Sequence, residues 1–137
     1  MKKFKSIMLV DDDISTSRFH QIVFESLNLT ENITFAKNGK KALDYLLHKG
    51  EFTNKIDEFI VPELIFIDLN MPVMDGFRFL ELYTITEEFK KRDTKIIVLS
   101  TSLIPEEKEK IEYDKNIYKF LNKPLTKNVI KDLFNNL

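Results

Sequence analysis

Four short apolar runs in the sequence are followed by side chains that could bind a metal ion or a phosphoryl group. These side chains are the carboxylates of Asp11, Asp12, Asp13 and Asp68, the hydroxyl of Ser100 and the amine of Lys123. Three or more carboxylates in one crevice repel each other, and an open cage of carboxylate oxygens suits Mg2+ or Mn2+. Such a metal can neutralise an incoming phosphoryl group and stabilise its in-line transfer to a carboxylate oxygen. In that chemistry Lys123 supplies a second positive charge and Ser100 a hydroxyl donor.

Each of these residues also has an ordinary structural explanation. An acidic run in front of a helix often only caps that helix, and Asp13 or Ser15 could have this role alone. Asp75 and Gly76 form a pair that favours a hairpin turn, although the helical pattern after Gly76 argues against one. Most lysines are solvated, so Lys123 in front of a proline is a weak signal by itself. The joint placement at four strand ends is what favours a common site.

The apolar runs are interpreted as strands because they are short and alternate with helical patterns. The predicted strands are Ile7–Val10, Ile33–Phe35, Leu64–Ile67, Ile96–Leu99 and Ile117–Leu121. Residues 48–62 are polar and charged, which indicates a long connection between the second helix and the third strand.

Apolar residues three and four positions apart predict five helices. The first helix is expected to bury Phe19, Ile22, Val23, Ser26 and Leu27, the second Ala42, Leu43, Leu46 and Leu47, and the third Phe79, Leu82, Ile85 and Phe89. The fourth runs from Glu106 to about Tyr113 behind Pro105 and has a thin apolar face. The last carries Val129, Ile130, Leu133, Phe134 and Leu137.

Five strands alternating with five helices predict an α/β domain with a doubly wound parallel sheet covered on both faces. In this architecture ligands bind outside the carboxyl ends of the strands, where the strand order reverses. If the order is 2-1-3-4-5, the first and third strands are neighbours. Asp11, Asp12 and Asp68 then converge at one edge of the sheet.

Composition excludes several classes of function. The 137 residues carry 21 basic and 22 acidic side chains, and this balance argues against binding nucleic acid by bulk charge. The absence of cysteine excludes disulfides and thiol catalysis. The longest apolar runs, about four residues, are too short to cross a bilayer, and Asp11–Asp13 interrupts the signal-like start. A cytoplasmic protein with no membrane partner is expected.

The motifs at the strand ends resemble those of CheY-like receiver domains, the phospho-accepting domains of two-component response regulators. The most specific is Asp-x-x-Met-Pro-x-Met-Asp-Gly after an apolar strand, and the matching stretches are Leu9–Asp13, Ile67–Gly76, Leu99–Thr101 and Phe120–Pro124. The resemblance covers roughly residues 5–137. It implies a flavodoxin-like fold with strand order 2-1-3-4-5, in which residues 1–137 form a single receiver domain without an output domain.

The resemblance also implies a role for each site residue. Asp68 corresponds to the phosphorylated aspartate, and Asp11 and Asp12 to the acidic pair that positions Mg2+, with Mn2+ as an alternative. Asn70 offers its backbone carbonyl to the metal, Ser100 follows the phosphoryl group and Lys123 pairs with it. Ser100 and Phe120, an aromatic whose rotamer changes on activation, are the predicted switch residues. Asp13 could replace one member of the acidic pair, although the register after Val10 favours Asp11 and Asp12.

The implied function is signalling rather than enzymatic turnover of a substrate. The phosphoryl group is expected to come from a sensor histidine kinase or a phosphotransfer protein. The signal is expected to leave through the face formed by the fourth helix, the fifth strand and the fifth helix. A downstream protein, or a second copy of the chain in a phosphorylation-dependent homodimer, is the expected partner.

Three other functions fit the sequence less well. A Mg2+-dependent phosphohydrolase that forms an aspartyl-phosphate is the main alternative, but it usually has a second acid where this chain has Asn70. A flavodoxin-like cofactor binder needs a glycine-rich nest for its phosphate, whereas this chain offers Asp11–Asp13. A calcium loop that begins at Asp11 has Thr16 in place of its glycine.

The chain departs from the receiver pattern at two places. The connection from about His48 to Pro62 is longer than usual, and Lys115–Asn116 replaces the Gly-Ala pair often found before the fifth strand. Neither departure touches the residues of the predicted site.

Overall fold

A computed structural model of the chain describes residues 3–101, 109 and 116–137. Its centre is a parallel sheet with the strands β1 (Ile7–Val10), β2 (Ile33–Ala36), β3 (Leu64–Asp68), β4 (Lys95–Ser100) and β5 (Ile117–Asn122). The strand order is β2-β1-β3-β4-β5. The predicted flavodoxin-like order is therefore confirmed.

Helices cover both faces of the sheet. They are α1 (Ile14–Ser26), α2 (Gly39–Leu47), α3 (Gly76–Ile85), α4 (Glu87–Lys90) and α5 (Lys127–Asn135). The helix predicted from Glu106 to about Tyr113 lies outside the described residues except for Glu109. Within the described part of the chain, no helix combines the length and the apolar character needed to cross a membrane.

The central strands β1, β3 and β4 carry continuous apolar runs because apolar layers cover both faces of the sheet there. Alternate residues of β1, β3 and β4 point to opposite faces of the sheet. Met8, Ile65 and Ile96 pack with α2 and α3, in what we name the α2/α3 layer. Leu9 and Phe66 pack with α1 and α5, in what we name the α1/α5 layer.

The core face of α1 differs from the prediction. Phe19 and Ile22 are 44% and 57% exposed, and the buried residues are Ser17, His20, Val23 and Phe24. At 100° per residue, Ile22 lies on the side of the helix opposite the buried residues. Two of those buried residues are polar, so an apolar pattern could not identify this face.

The helix predicted from Phe79 to Phe89 is two helices. α3 ends at Ile85 and α4 begins at Glu87, because Thr86 between them has an extended backbone with φ −86° and ψ 117°. Ile85 is 70% exposed, contrary to the prediction, because it lies on the side of α3 opposite the buried face formed by Phe79, Leu80 and Tyr83.

The start of α3 packs directly against the end of β3, and this contact requires glycine. A Cβ atom on Gly76 would lie 2.7 Å from the carbonyl oxygen of Asp68. The Gly76 amide donates to the carbonyl of Leu69 at 3.0 Å, and the Asp75 carboxylate caps α3 by accepting from the amide of Arg78 at 2.9 Å. Asp75 and Gly76 therefore begin a helix that supports the Asp68 backbone, as the helical pattern after Gly76 predicts, and they do not form a hairpin turn.

The long connection after α2 packs through aromatic side chains. It contains two 3-10 turns, Gly50–Phe52 and Ile56–Glu58. Tyr45 of α2 contacts the rings of Phe52 and Phe59 at centroid distances of 5.3 and 5.0 Å. The connection is thus held against α2, on the α2/α3 side of the sheet.

Candidate functional site

The carboxyl edge of the sheet brings together the residues that end or follow four of its strands. Asp11 follows β1, Asp68 ends β3, Ser100 ends β4 and Lys123 follows β5. Asp11 and Asp68 are neighbours because β1 and β3 pair in parallel with Val10 opposite Ile67. Their side-chain positions are therefore set by the register of the sheet.

Lys123 joins the two buried carboxylates. Its Nζ atom lies 2.6 Å from Oδ2 of Asp11 and 3.2 Å from Oδ2 of Asp68. All three side chains are at least nine-tenths buried. Ion pairs this well shielded from water are stronger than exposed ones, so Lys123 holds both acids in place.

Each buried acid also accepts one backbone hydrogen bond on its other oxygen. Oδ1 of Asp11 accepts from the amide of Asp13 at 2.9 Å, and Oδ1 of Asp68 accepts from the amide of Asn70 at 3.3 Å. Both amides lie two residues beyond the acid that they bind. The two carboxylates are thereby oriented alike, with Oδ1 towards the backbone and Oδ2 towards Lys123.

Burial and charge act in opposite directions on the ionisation of this group. Burial raises the pKa of Asp68, and Asp11 raises it further, although Lys123 and the Asn70 amide act to lower it. Burial alone lowers the pKa of Lys123, but its contacts with Asp11 and Asp68 outweigh burial and raise it. Lys123 is therefore protonated at neutral pH and shares its charge between the two acids.

Three carboxylates lie close enough together to hold one cation. One oxygen from each of Asp11, Asp12 and Asp68 lies within 4.8 Å of the others. Asp12 is exposed, so the group is open to water on one side. A set of hard oxygen donors with access to water fits Mg2+ or Mn2+, which bind a few carboxylates and complete their shells with water.

Asp13 has a different role from the two acids before it. Its Oδ1 atom accepts from the amides of Ser15 and Thr16 at 2.9 and 3.3 Å, which caps α1. Hydrogen bonds from Thr16 and Ser15 lower the pKa of Asp13 below its ordinary value. The capping interpretation holds for Asp13, while Asp11 and Asp12 face the site.

Ser100 and Asn70 adjoin this centre, whereas Phe120 lies on β5 three residues before Lys123. Ser100 is fully buried, and its carbonyl oxygen accepts from the amide of Lys123 at 3.0 Å. Asn70 is exposed at the rim. Phe120 is half-buried on β5, opposite Val98, and packs against the α2/α3 layer. A backbone hydrogen bond thus holds Ser100 and Lys123 side by side.

His20 belongs to this region and was missed by the sequence analysis. It is 2% exposed, and its Nε2 atom accepts from the amide of Leu125 at 3.3 Å. Burial lowers the pKa of His20 to about 4, although the charge of Asp11 opposes this shift. A polar residue on a helix gives no apolar signal, and only the folded chain shows that this helix face points inwards.

Comparison with known proteins places this geometry in a family. The model of the response regulator receiver domain matches residues 7–135. The probable methanogenesis regulatory protein FilR2 of Methanothrix harundinacea (strain 6Ac) is 31% identical over 121 residues, which cover 88% of this chain and 72% of FilR2. The family match over residues 7–135 includes β1, β3, β4 and β5, which carry the site.

Solved structures agree with this match. A two-component response regulator from Cytophaga hutchinsonii is 26% identical with a TM-score of 0.81, covering 98% of this chain and 97% of its own. The Mn2+-bound form of response regulator Rcp1 is 27% identical with a TM-score of 0.69, covering 96% of this chain and 88% of its own. The fold is thus shared over almost the whole chain.

Proposed function

Since the chain belongs to the family of response regulator receiver domains, we propose that it accepts a phosphoryl group on Asp68. Receiver domains are typically signalling modules rather than enzymes. The observation that carries the proposal is the buried position of Asp68, whose Oδ2 atom faces the amine of Lys123 while Oδ1 is held by the Asn70 amide. These two contacts fix the orientation of the Asp68 carboxylate.

The proposed reaction is an in-line transfer. An oxygen of Asp68 forms a bond to phosphorus as the bond from phosphorus to a histidine nitrogen of the donor breaks, and that nitrogen keeps the electron pair. Lys123 can exchange one of its carboxylate contacts for an oxygen of the phosphoryl group, and the Ser100 hydroxyl can donate to another. The donor we propose is a sensor histidine kinase or a phosphotransfer protein.

We propose Mg2+ as the cofactor, with Mn2+ as an alternative. Asp11, Asp12, Asp68 and the backbone carbonyl of Asn70 are the proposed ligands. A divalent cation bound there supplies charge neutralisation for the transferring group. The Mn2+-bound form of the structural relative Rcp1 supports this assignment. In this chain the three carboxylates outnumber the single amine of Lys123, so the site has negative charge to spare for a cation.

Exposed apolar side chains next to the acids support a protein as the donor. Ile14 is 78% exposed, and it lines a cavity of about 360 Å3 together with Asp11, Phe35 and Phe52. Single exposed apolar residues are common, but a group of them beside Asp11, an acid of the proposed site, offers a surface that a protein can cover.

We propose that the signal leaves through Ser100, Lys123 and Phe120. A phosphoryl group on Asp68 adds roughly −1.5 to −2 charge at neutral pH, by analogy with other phospho-groups. The Lys123 amide donates a hydrogen bond to the Ser100 carbonyl, which continues the pairing of β4 with β5. Movement of either residue therefore strains this pairing, and Phe120 lies on β5. The proposed output face comprises the predicted helix from Glu106 to about Tyr113, β5 and α5, and its partner is a downstream protein or a second copy of the chain.

This route has its own test. We expect amide NMR shifts of residues 104–121 to change when Asp68 is phosphorylated. Changes confined to the neighbours of Asp68 would contradict the proposed route without affecting the acceptor assignment.

The cytoplasmic location stays a prediction of the sequence.

The acceptor assignment is tested with a small phosphoryl donor. The protein is incubated with acetyl phosphate and Mg2+, and the modified peptide is mapped by mass spectrometry. We expect one adduct, on Asp68, which is absent from Asp68→Asn and absent when the metal is chelated. Asp75→Asn is the matched control, because asparagine caps a helix as well as aspartate does, and it should be modified like the wild type. An adduct that persists in Asp68→Asn would overturn the assignment.

A further inference from the structure

His20 connects α1 to the turn that carries Lys123. The turn runs from the end of β5 at Asn122 to the start of α5 at Lys127. Leu125 in this turn is fully buried, and its amide donates to Nε2 of His20 at 3.3 Å. The two residues are 105 positions apart in the chain. This hydrogen bond therefore joins two elements that no local interaction connects.

Hydrogen bonds at Lys123, Leu125 and Thr126 hold the turn, and each links it to a different element. The Lys123 amide is held by the carbonyl of Ser100 at 3.0 Å, which continues the β4–β5 pairing. The hydroxyl of Thr126 accepts from the amide of Val129 at 3.3 Å and caps α5. Among the hydrogen bonds of the described residues, the one accepted by His20 ties this turn to α1, the helix that begins directly after the acidic run. It thus fixes the turn relative to the strand end that bears Asp11.

The chemistry of this contact requires a neutral imidazole. A ring nitrogen that accepts a hydrogen bond carries no proton, so the proton of neutral His20 lies on Nδ1. A buried amide such as that of Leu125 needs an acceptor, because an unpaired buried N–H destabilises the conformation that holds it. An apolar residue in place of His20 removes the only acceptor recorded for this amide in the described part of the chain.

We propose that His20 is a positioning residue of the acceptor site, which keeps the amine of Lys123 between Asp11 and Asp68 by anchoring the Leu125 amide. The consequence for phosphoryl transfer rests on the function proposed above, whereas the effect on the position of Lys123 does not. His20 touches neither the carboxylates nor the phosphoryl group in this account. It acts through the backbone of the turn, two residues beyond Lys123.

The test compares three variants of the full chain with the wild type. His20→Leu removes the acceptor and keeps an apolar side chain, and His20→Met repeats this with a different shape in case the leucine variant does not fold. His20→Gln places an amide oxygen where Nε2 lies and should restore the contact. Val23→Ala, one turn later on the same buried face of α1, is the control for lost packing.

Each protein is followed by hydrogen exchange of the Leu125 amide, by the NMR signal of the Lys123 Nζ atom and by the rate of modification with acetyl phosphate and Mg2+.

We expect the apolar variants to exchange the Leu125 amide faster, to shift the Lys123 Nζ signal and to be modified more slowly. The expected change is roughly two- to tenfold, the range that loss of one hydrogen bond produces. His20→Gln should stay close to the wild type in all three measurements, and Val23→Ala should lower only the melting temperature.

The proposal is overturned if the apolar variants leave the Leu125 amide and the Lys123 signal unchanged. It is also overturned if His20→Gln or Val23→Ala loses as much as His20→Leu, since packing alone then explains the effect. If the wild type is not modified at all, the proposed function fails. The exchange and Nζ measurements still decide the role of His20 in that case.

Discussion

The carboxyl edge of the sheet and the apolar layers on its two faces are built from the same strands, yet they obey opposite physical rules. Ile67 of β3 is fully buried in the α2/α3 layer, and Asp68, the next residue, is 6% exposed. Burial of an apolar side chain stabilises the fold by about 25 cal/mol per Å2. Burial of a carboxylate is unfavourable unless the group is paired. The apolar layers therefore provide most of the stability, whereas the buried acids at the edge are tolerated because they are paired with Lys123.

The largest effect on stability is expected from the α1/α5 layer. Phe66 is buried two residues before Asp68, and its ring lies 5.2 Å from that of Phe24. Phe66→Ala should lower the free energy of unfolding by about 3–5 kcal/mol, because it leaves a cavity that the rigid sheet cannot fill. Urea denaturation measures this loss. A loss below about 1 kcal/mol would show that the layer does not dominate stability.

The second effect separates the edge from ordinary surface charges. Lys123→Met leaves Asp11 and Asp68 facing each other without a cation, so we expect a loss of about 1–3 kcal/mol in the free energy of unfolding. Mg2+ should restore more stability to this variant than to the wild type. Lys40→Met, which breaks the exposed Lys40–Asp44 pair, is the control and should cost under about 1 kcal/mol. Equal losses for the two variants, measured by thermal melting with and without Mg2+, would contradict the contrast.

The third effect concerns the pH dependence of stability. The pKa of His20 is about 4 in the folded chain, against an ordinary value of 6.5. Above pH 6.5 both states are neutral, and as the pH falls towards 4 the unfolded state takes up the proton first, so stability is lost. Between pH 7 and pH 5 the wild type should lose about 1–2 kcal/mol more than His20→Gln in urea denaturation. Parallel curves for the two proteins would show that burial does not suppress protonation of His20.

The smallest effect distinguishes Asp13 from the acids beside it. Asp13→Ala removes the cap of α1 and should lower the free energy of unfolding by about 1 kcal/mol. Its affinity for Mg2+ should match that of the wild type, whereas Asp12→Ala should bind the metal more weakly at nearly unchanged stability. Calorimetric titration with Mg2+ and thermal melts check both statements. A weakened metal site in Asp13→Ala would return Asp13 to the acidic group.

The sequence predicts the parts of the molecule in which apolar residues occupy the buried positions. β1, β3 and β4 carry continuous apolar runs because both faces of the sheet are covered there, so the positions of these strands could be found directly from the sequence. The convergence of Asp11 and Asp68 follows once the strand order is given, and that order came from a family resemblance rather than from the pattern of residues. Once the order is fixed, the parallel register alone brings the two acids together.

The features that the sequence missed depend on contacts between distant elements. His20 is hidden because polar residues on a buried helix face give no apolar signal. The break at Thr86 depends on an extended backbone conformation that threonine does not enforce. The apolar spacing on either side of Thr86 therefore predicted one helix, although α3 ends at Ile85. The double ion pair of Lys123 joins side chains from the ends of three strands. Each of these features is set by tertiary structure.

The most direct test of the acceptor site is binding of beryllium fluoride, a stable mimic of a phosphoryl group, to 15N-labelled protein in the presence of Mg2+. We predict that a complex forms and that the largest amide shifts belong to Asn70, Thr101 and Lys123, around Asp68. Asp68→Asn should show none of these shifts. Identical shifts in Asp68→Asn, or a complex centred on another part of the chain, would contradict the assignment of Asp68 as the phosphoryl acceptor.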